Sequence, residues 1–183
     1  MRRAKVEDAA AIDKMTVECF GDSYLSVKEI TDYILDDWNR LYVEEDEKGL
    51  AGAILFLRED KSLFLEDMEI DSDDYDRLSR GKAVLHHKFS VIRQDLRGSG
   101  MMTRMLNDAL KEAEDDGKYG VLFTQGWIQP DGTVPMEGIF DRAGYVKYKR
   151  QKSPWYKPKF FDKTCVLCGG RCKCDAMVYY REL

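Results

Sequence analysis

An arginine followed by two closely spaced glycines marks the stretch of this sequence that is best suited to bind a phosphate group. The stretch consists of Arg97, Gly98, Ser99, Gly100, Met101, Met102 and Thr103. Glycine lets the backbone approach a ligand closely and point several N–H groups one way, and a helix that begins here adds the positive end of its dipole. Because a lone Gly-x-Gly also occurs in ordinary turns, the prediction depends on the surrounding elements.

Four of the five cysteines lie within ten residues: Cys165, Cys168, Cys172 and Cys174. A Cys-x-x-Cys-Gly knuckle lets backbone N–H groups face metal-bound sulfur, and four thiolates fill the tetrahedral shell of zinc. Disulfides are disfavoured in a reducing compartment, and the spacing matches neither common ferredoxin run. The sequence therefore predicts one structural Zn²⁺ without an open coordination position. The fifth cysteine, Cys19, is predicted to lie in the core of the first helix.

The chain has only two histidines, His86 and His87. They are neighbours in a predicted strand, 84–92, so their side chains point to opposite faces of the sheet, and Ser90 is expected on the face of His86. With an unperturbed pKa of ~6.5, histidine is suited to general-base catalysis, although a histidine in a strand more often has a structural role. Three acidic residues are alternative bases: Glu66, Asp67 and Glu69.

The phosphate loop lies between that strand and an amphipathic helix. Apolar residues recur there at helical spacing: Met101, Met102, Met105, Leu106, Ala109, Leu110 and Ala113. Gly117 is its predicted end, and a buried strand, 119–124, and a short helix, 135–143, follow. The first part of the chain predicts two helices, 8–20 and one that begins with a capping box at Ser26, and then a hairpin of strands 41–44 and 50–57. Strands 145–149 and 176–181 end the sequence.

This order of elements resembles the GNAT superfamily of N-acetyltransferases. The resemblance is specific at two places, the loop with its helix and the segment Phe140-Asp141-Arg142-Ala143-Gly144-Tyr145. The acetyl-CoA signature of the family, Arg/Gln-x-x-Gly-x-Gly/Ala, falls on Arg97, Gly100 and Met102, and the methionine must turn inward because a small residue is usual there. The resemblance implies an α/β fold of the α+β type, with a mixed, mostly antiparallel central sheet that is flanked by helices and splayed at the CoA-binding strands. We expect one domain, 1–183, with a Cys-rich, zinc-binding insertion at 151–175.

The resemblance also implies a function, the transfer of acetyl from acetyl-CoA to an amine by direct attack in a ternary complex. The cofactor-binding residues would be the seven of the loop together with the backbone N–H of Ile92, and amides of strand 119–124 would bind the pantetheine arm. A family base lies on the strand before the loop, about six residues before Ile92, which gives His86. Phe140 stands where the family often has a tyrosine that protonates the thiolate. Either another tyrosine substitutes for it, or the thiolate leaves unprotonated into solvent, or the chemistry of this chain differs from that of the family. The candidate tyrosines are Tyr145, Tyr148 and Tyr156.

Charge is distributed unevenly along the chain. Residues 66–76 carry seven acids and no base, whereas residues 147–173 carry nine bases and one acid, and the net charge is −5. The net charge argues against broad nucleic-acid binding. The acidic stretch is either a solvated face or mobile loop, or a device that concentrates a cationic acceptor near the site. No long apolar run or export signal is present, so we expect a cytoplasmic protein without a membrane span.

A second hypothesis makes the chain a non-catalytic acyl-CoA-binding relative that acts as a recognition module. Aromatic and basic residues alternate in the insertion and are able to stack on and neutralise a single nucleic-acid strand. They are Lys152, Trp155, Tyr156, Lys157, Lys159, Phe160, Phe161 and Lys163. The sequence leaves the amine open, small molecule or peptide, and it leaves the oligomeric state open as well.

Overall fold

A computed structural model describes all 183 residues and contains one seven-stranded sheet. The strands are β1 Arg2–Arg3, β2 Arg40–Asp46, β3 Gly49–Leu57, β4 Ala83–Ile92, β5 Tyr119–Trp127, β6 Val146–Gln151 and β7 Ala176–Glu182. Their order in the sheet is β1-β2-β3-β4-β5-β7-β6, and only β4 and β5 run parallel. The predicted mixed, mostly antiparallel sheet is therefore confirmed.

Six α-helices cover the two faces of this sheet. They are α1 Ala9–Phe20, α2 Val27–Leu35, α3 Lys61–Met68, α4 Ser72–Ser79, α5 Met101–Asp116 and α6 Glu137–Arg142. Helices α5 and α6 pack on one face, whereas α1 to α4 pack on the other. The buried side chains of α5 and α6 belong to one hydrophobic cluster, and those of α1 to α4 belong to two others. None of the helices combines the length and apolarity that crossing a bilayer requires.

The local helix features that the sequence predicts for α2 and α5 are confirmed. The capping box of α2 is formed, because Ser26 Oγ accepts from the Glu29 amide and Glu29 Oε2 accepts from the Ser26 amide. The apolar stripe of α5 is buried, and Met102 does turn inward. Gly117 ends α5 at φ +66°, a left-handed conformation that favours glycine.

The acidic stretch is helical, so the prediction of a mobile loop is wrong. It forms α3 and α4, which begin with Asp60 and Asp71 as N-caps whose side chains accept backbone N–H groups two residues further on. The inner sides of these helices and the turn between them bury an apolar set in the core: Phe64, Met68, Ile70 and Leu78. Burial of these side chains outweighs the repulsion among acids that remain on the outer, solvated sides.

A β-bulge interrupts β4 at Lys88. Leu55 pairs with Phe89 but its neighbour Phe56 pairs with His87, so Lys88 is the extra residue. The Lys88 carbonyl accepts a hydrogen bond from Tyr24 Oη at 3.2 Å. An extra residue reverses the alternation of side chains beyond it, so Ser90 lies on the face of His87. The prediction that Ser90 shares a face with His86 is wrong for this reason.

Candidate active site

Strands β4 and β5 separate halfway along their length. Their ladder runs from Ala83 and Tyr119 to His87 and Thr124, and beyond that point both strands continue without pairing to each other. At the point of separation Thr124 Oγ1 donates to the His87 carbonyl at 2.9 Å. A cleft of about 1540 Å³ passes through this gap, and the predicted splay of the sheet is thus present.

The β4 side of the gap presents backbone N–H groups. Arg93 N donates to Ala51 O, in β3, at 2.9 Å. Because successive N–H groups of a strand point in opposite directions, the amides of Ile92 and Ser90 face the gap. A ligand that lies between β4 and β5 can therefore accept hydrogen bonds that a neighbouring strand would otherwise take.

The loop that follows β4 offers further unpaired amides. Gly98 and Gly100 have φ +77° and +82°, and a Cβ at either position would meet nothing within 4 Å, so backbone conformation and not crowding requires glycine. Met101 N donates to Ser99 Oγ at 3.3 Å. Four amides make no hydrogen bond within the protein: those of Gly98, Gly100, Met102 and Thr103. These N–H groups and the N-terminus of α5 form a cradle that suits an anion.

Arg97 joins this loop to the first helix. Its side chain is exposed, and its Nη2 donates to Cys19 Sγ at 3.4 Å. Cys19 packs against the core cluster of α1 and also lines the cleft, and burial raises the pKa of its thiol. The cysteine that the sequence assigned to the core is therefore half-buried at the edge of the cleft.

His86 lies on the face of β4 that α1 to α4 cover. Its side chain is buried but lines the cleft, and its Nδ1 lies 3.0 Å from Glu59 Oε1, close enough for an ion pair but out of line for a hydrogen bond. Burial lowers the pKa of His86, although the Glu59 carboxylate opposes this effect. Burial alone would raise the pKa of Glu59, but the charge and proximity of His86 outweigh it and lower that pKa to about 2.

His87 lies on the opposite face, within a chain of polar contacts. Its Nε2 is 2.6 Å from Ser90 Oγ, and its Nδ1 is 3.2 Å from Tyr145 Oη. The Phe140 ring packs edge-on against His87, with the ring centroids 5.9 Å apart. Ser90 and Phe140 line the cleft, whereas Tyr145 is buried behind them.

Two tyrosines that were candidates for the missing acid lie elsewhere. Tyr148 Oη donates to Asp74 on the side of α4, at 2.7 Å, and Tyr156 is an exposed residue of the insertion whose ring packs at a tilt against Phe161. Neither of them lines the cleft. Tyr145 is close to it but is separated from it by His87.

The four clustered cysteines converge. Their sulfur atoms all lie within 4.8 Å of one another, and Cys168 Sγ and Cys174 Sγ are 3.6 Å apart. A tetrahedral zinc site with Zn–S bonds of ~2.3 Å requires sulfur atoms ~3.8 Å apart, so this donor set fits zinc. The Gly169 amide donates to the Cys165 carbonyl and so closes the turn of the Cys-x-x-Cys-Gly segment, and the Lys173 amide donates to Cys168 Sγ.

This cysteine loop forms one wall of the cleft. Cys165 and Cys172 line it, beside the segment that joins α1 to α2. Two backbone hydrogen bonds hold the loop to that segment, from Thr164 N to Asp22 O and from Val166 N to Phe20 O. The approach is so close that a Cβ on Gly21 would lie 1.8 Å from the Thr164 carbonyl oxygen.

The acidic stretch 66–76 and the basic stretch 147–173 contact each other in the fold. Lys159 pairs with Asp67, Lys149 lies against Glu69, and Lys157 donates to the Glu66 carbonyl. Asp67 is the one acid of this group that lines the cleft, and Lys159 already neutralises it. The acidic helices therefore bind the basic insertion and are poorly placed to concentrate a cationic acceptor.

The predicted residues lie in three parts of one cleft. Arg97, Gly98, Gly100, Met101, Met102 and Thr103 line it at one end, His86 and Ile92 line its middle, and Cys165 and Cys172 line its wall. Ser99 caps the loop without lining it, and Cys168 and Cys174 lie behind the wall. Sequence reasoning missed Glu59 as the neighbour of His86, because a single carboxylate after a strand belongs to no recognisable pattern.

Comparison with solved structures identifies the fold. Three of the similar structures are an acetyltransferase of the GNAT family from Streptococcus pneumoniae (15% identity, TM-score 0.66, 100% of this chain and 98% of that chain), the ribosomal-protein-alanine N-acetyltransferase from Brucella melitensis (12%, 0.68, 100% and 98%) and the loading GNATL domain of CurA from Lyngbya majuscula (16%, 0.71, 99% and 96%). The sequence matches no protein-family model and no curated protein.

The chain therefore has the fold of the GNAT acetyltransferases over its whole length. The resemblance that the loop, its helix and the segment around Phe140 indicated is confirmed at the level of the fold. At sequence identities this low, structural similarity establishes the fold only. The chemistry depends on the residues of this cleft.

Proposed function

We propose that the protein transfers an acetyl group from acetyl-CoA to an amine. The observation that carries this proposal is the continuity between the unpaired gap of β4 and β5 and the amide cradle at Gly98 and Gly100. An extended ligand with a phosphate group at one end and amides along its length matches both parts, and acetyl-CoA is such a ligand. The activities named for the similar structures support the same reaction class.

In this proposal the backbone does most of the binding. The free amides of the loop hold the pyrophosphate with the positive end of the α5 dipole, and the exposed Arg97 side chain adds a positive charge. The Ile92 amide, on the gap side of β4, polarises the thioester carbonyl in the manner of an oxyanion hole. Positioning of two reactants in one cleft supplies the remaining acceleration, so direct attack requires no nucleophilic side chain.

His86 is the proposed base that takes the proton of the attacking amine. It lines the cleft, its Nε2 makes no hydrogen bond within the protein, and Glu59 beside Nδ1 stabilises the positive charge that the ring gains. Burial keeps its pKa low, so the ring is neutral and able to accept a proton at neutral pH. Among the alternative bases Asp67 lines the cleft but is paired with Lys159.

The cysteine loop is proposed to hold one structural Zn²⁺. The four sulfur atoms are close enough to bind a single ion, and four thiolates leave no position for water or substrate. The ion would supply no chemistry to the transfer. It would fix Cys165 and Cys172 in the wall of the cleft, beside the segment that joins α1 to α2.

The alternative of a non-catalytic recognition module receives less support. Single-strand binding needs free cations, but Lys159 is paired with Asp67, and Lys157 and Lys163 donate to backbone carbonyls of other segments. The aromatic residues of the insertion are also mostly half-buried. Transfer of acetyl to an amine is therefore the function that we propose.

The test is release of free CoA thiol from acetyl-CoA with a panel of small cationic amines, run beside a set of peptides. We expect thiol release that depends on at least one acceptor and acetylation of that acceptor by mass spectrometry. Binding of acetyl-CoA without release for any amine or peptide would support the non-catalytic alternative. A salt-dependent gel shift with single-stranded nucleic acid would point in the same direction.

A further inference from the structure

The chain of contacts on the α5 and α6 side of β4 determines where its protons lie. Tyr145 is 5% exposed, and the only partner of its hydroxyl is His87 Nδ1. Burial raises the pKa of this tyrosine, so the hydroxyl keeps its proton. A buried O–H group with one acceptor in reach donates to it. Tyr145 Oη therefore donates to His87 Nδ1.

The state of the imidazole follows from this donation. Burial, together with the nearby His86, lowers the pKa of His87 to about 3, so the ring is neutral at physiological pH. A neutral ring that accepts at Nδ1 carries its hydrogen on Nε2. That N–H points to Ser90 Oγ at 2.6 Å, and the serine oxygen is its acceptor.

Ser90 is left with a free proton. Its oxygen accepts from His87, so its own O–H is not used within the protein, and the half-buried side chain lines the cleft. A nucleophilic serine needs the opposite arrangement, an unprotonated Nε2 that accepts the hydroxyl proton. The geometry thus makes Ser90 a hydrogen-bond donor toward the cleft and not a nucleophile.

Acyl transfer from a thioester creates a charge that needs such a donor. When the amine attacks, a C–N bond forms, the C–S bond breaks with its electron pair on sulfur, and the amine proton passes to the base. The thiolate then remains in a partly buried cleft until it takes a proton from solvent. On the α6 side of the cleft Phe140 has no donor, whereas Ser90 has one.

We propose that Ser90 is a catalytic residue that donates a hydrogen bond to the departing CoA thiolate, and that His87 and Tyr145 are positioning residues that turn its hydroxyl toward the cleft. This inference rests on the proposed acetyl transfer and assigns the leaving-group side of that reaction. A preorganised donor that strengthens its bond as charge develops lowers the barrier without tightening the binding of the thioester.

The first test compares three variants in the CoA-release assay. Removal of one donor to a developing charge costs on the order of 10²-fold in kcat, so we expect Ser90→Ala to lose roughly that factor while KM for acetyl-CoA changes less than about threefold. Ser90→Thr keeps the hydroxyl and should keep most of the activity. Ser90→Ala with wild-type kcat would overturn the inference, and so would an equal loss in Ser90→Thr.

The positioning role needs a measurement other than activity. Because the chain has only two histidines, ¹⁵N-labelled histidine gives two ring spectra, and a His86→Gln sample assigns them. Two-bond ¹H–¹⁵N correlations should show His87 protonated at Nε2, and this preference should weaken in Tyr145→Phe. Tyr179→Phe is the matched control, since it removes a hydroxyl from a fully buried tyrosine of the same cluster without changing the His87 tautomer.

The two experiments also separate this inference from the proposed function. An active wild type with a full-rate Ser90→Ala variant refutes only the role of Ser90. A wild type that releases no thiol with any acceptor refutes acetyl transfer, and the catalytic role of Ser90 falls with it. Protonation of His87 at Nδ1 would mean that Ser90 donates to the ring, which overturns the inference whether or not the protein is active.

Discussion

Substitution of Gly100 by leucine separates the ligand-binding role of the phosphate loop from its structural role. Gly100 precedes α5 at φ +82°, and Gly117 follows the same helix at φ +66°. A Cβ at either position would meet nothing within 4 Å. The two glycines therefore have the same backbone requirement at opposite ends of a helix that is ~24 Å long. Gly117→Leu is the matched control.

Both variants should lose a similar amount of stability. A left-handed conformation costs a residue with a Cβ about 1–2 kcal/mol. In a chain of this size each kcal/mol lowers Tm by roughly 2–4 °C, so both Tm values should fall by about 2–8 °C. A side chain at position 100 also covers the free amides of the cradle, which a side chain at position 117 does not.

The assay is the thermal shift that acetyl-CoA produces. At a concentration ~100 times Kd, a ligand that binds only the folded state stabilises it by ~2.7 kcal/mol, which raises Tm by roughly 5–10 °C. We expect this rise in the wild type and in Gly117→Leu. If Gly100→Leu weakens binding about a hundredfold, only ~0.4 kcal/mol remains at the same concentration, a shift close to the limit of detection. An undiminished shift in Gly100→Leu would refute the assignment of the loop.

Three further predictions concern the cysteines and the histidines. Purified protein should contain about one zinc per chain, and Cys168→Ser should lose it while acetyl-CoA still raises Tm; a metal-free native protein with freely reactive thiols would contradict this. His86→Gln should lower kcat by on the order of 10²-fold with unchanged CoA binding, and wild-type activity should fall only as pH drops through the lowered pKa of His86, below ~6.5; a pH profile that is unchanged in His86→Gln would contradict this. The pKa of His87 is lowered to about 3 in the folded protein, so in this pH range the unfolded chain binds a proton that the folded chain does not. The free energy of unfolding should therefore fall by ~1.4 kcal/mol through this residue as the pH drops from 8 to 5.5. Urea titrations of a His87→Gln variant should lack that part of the pH dependence.

The parts of the site that rest on local pattern were predictable. The glycines of the loop, the stripe of α5 and the four cysteines each depend on residues that are close in sequence, so spacing alone predicts their neighbours. The capping box at Ser26 is local in the same sense. The helices α3 and α4 also carried local signals, the N-caps Asp60 and Asp71 and the apolar spacing behind them, but the density of acids obscured them.

The parts that sequence reasoning missed depend on pairing between distant segments. The bulge at Lys88 is defined only by the register of β4 against β3, and no residue type marks it. It changes the face of Ser90 and creates the contact with His87. The ion pair of Lys159 and Asp67 joins positions that are 92 residues apart. The distribution of charge along the sequence therefore does not indicate that the acidic stretch 66–76 and the basic stretch 147–173 neutralise each other. Glu59 reaches His86 by the same kind of long-range packing.

The position of β7 in the sheet has a consequence for how the protein is made. The last strand of the chain lies between β5 and β6 and pairs with both, and the cysteine loop just before it completes the wall that begins at Phe20. Chains emerge from the ribosome starting at the N-terminus, so β5 keeps an open edge and the cleft lacks a wall until the cysteine loop and β7 have emerged. The cleft is therefore completed only after β7 has been synthesised.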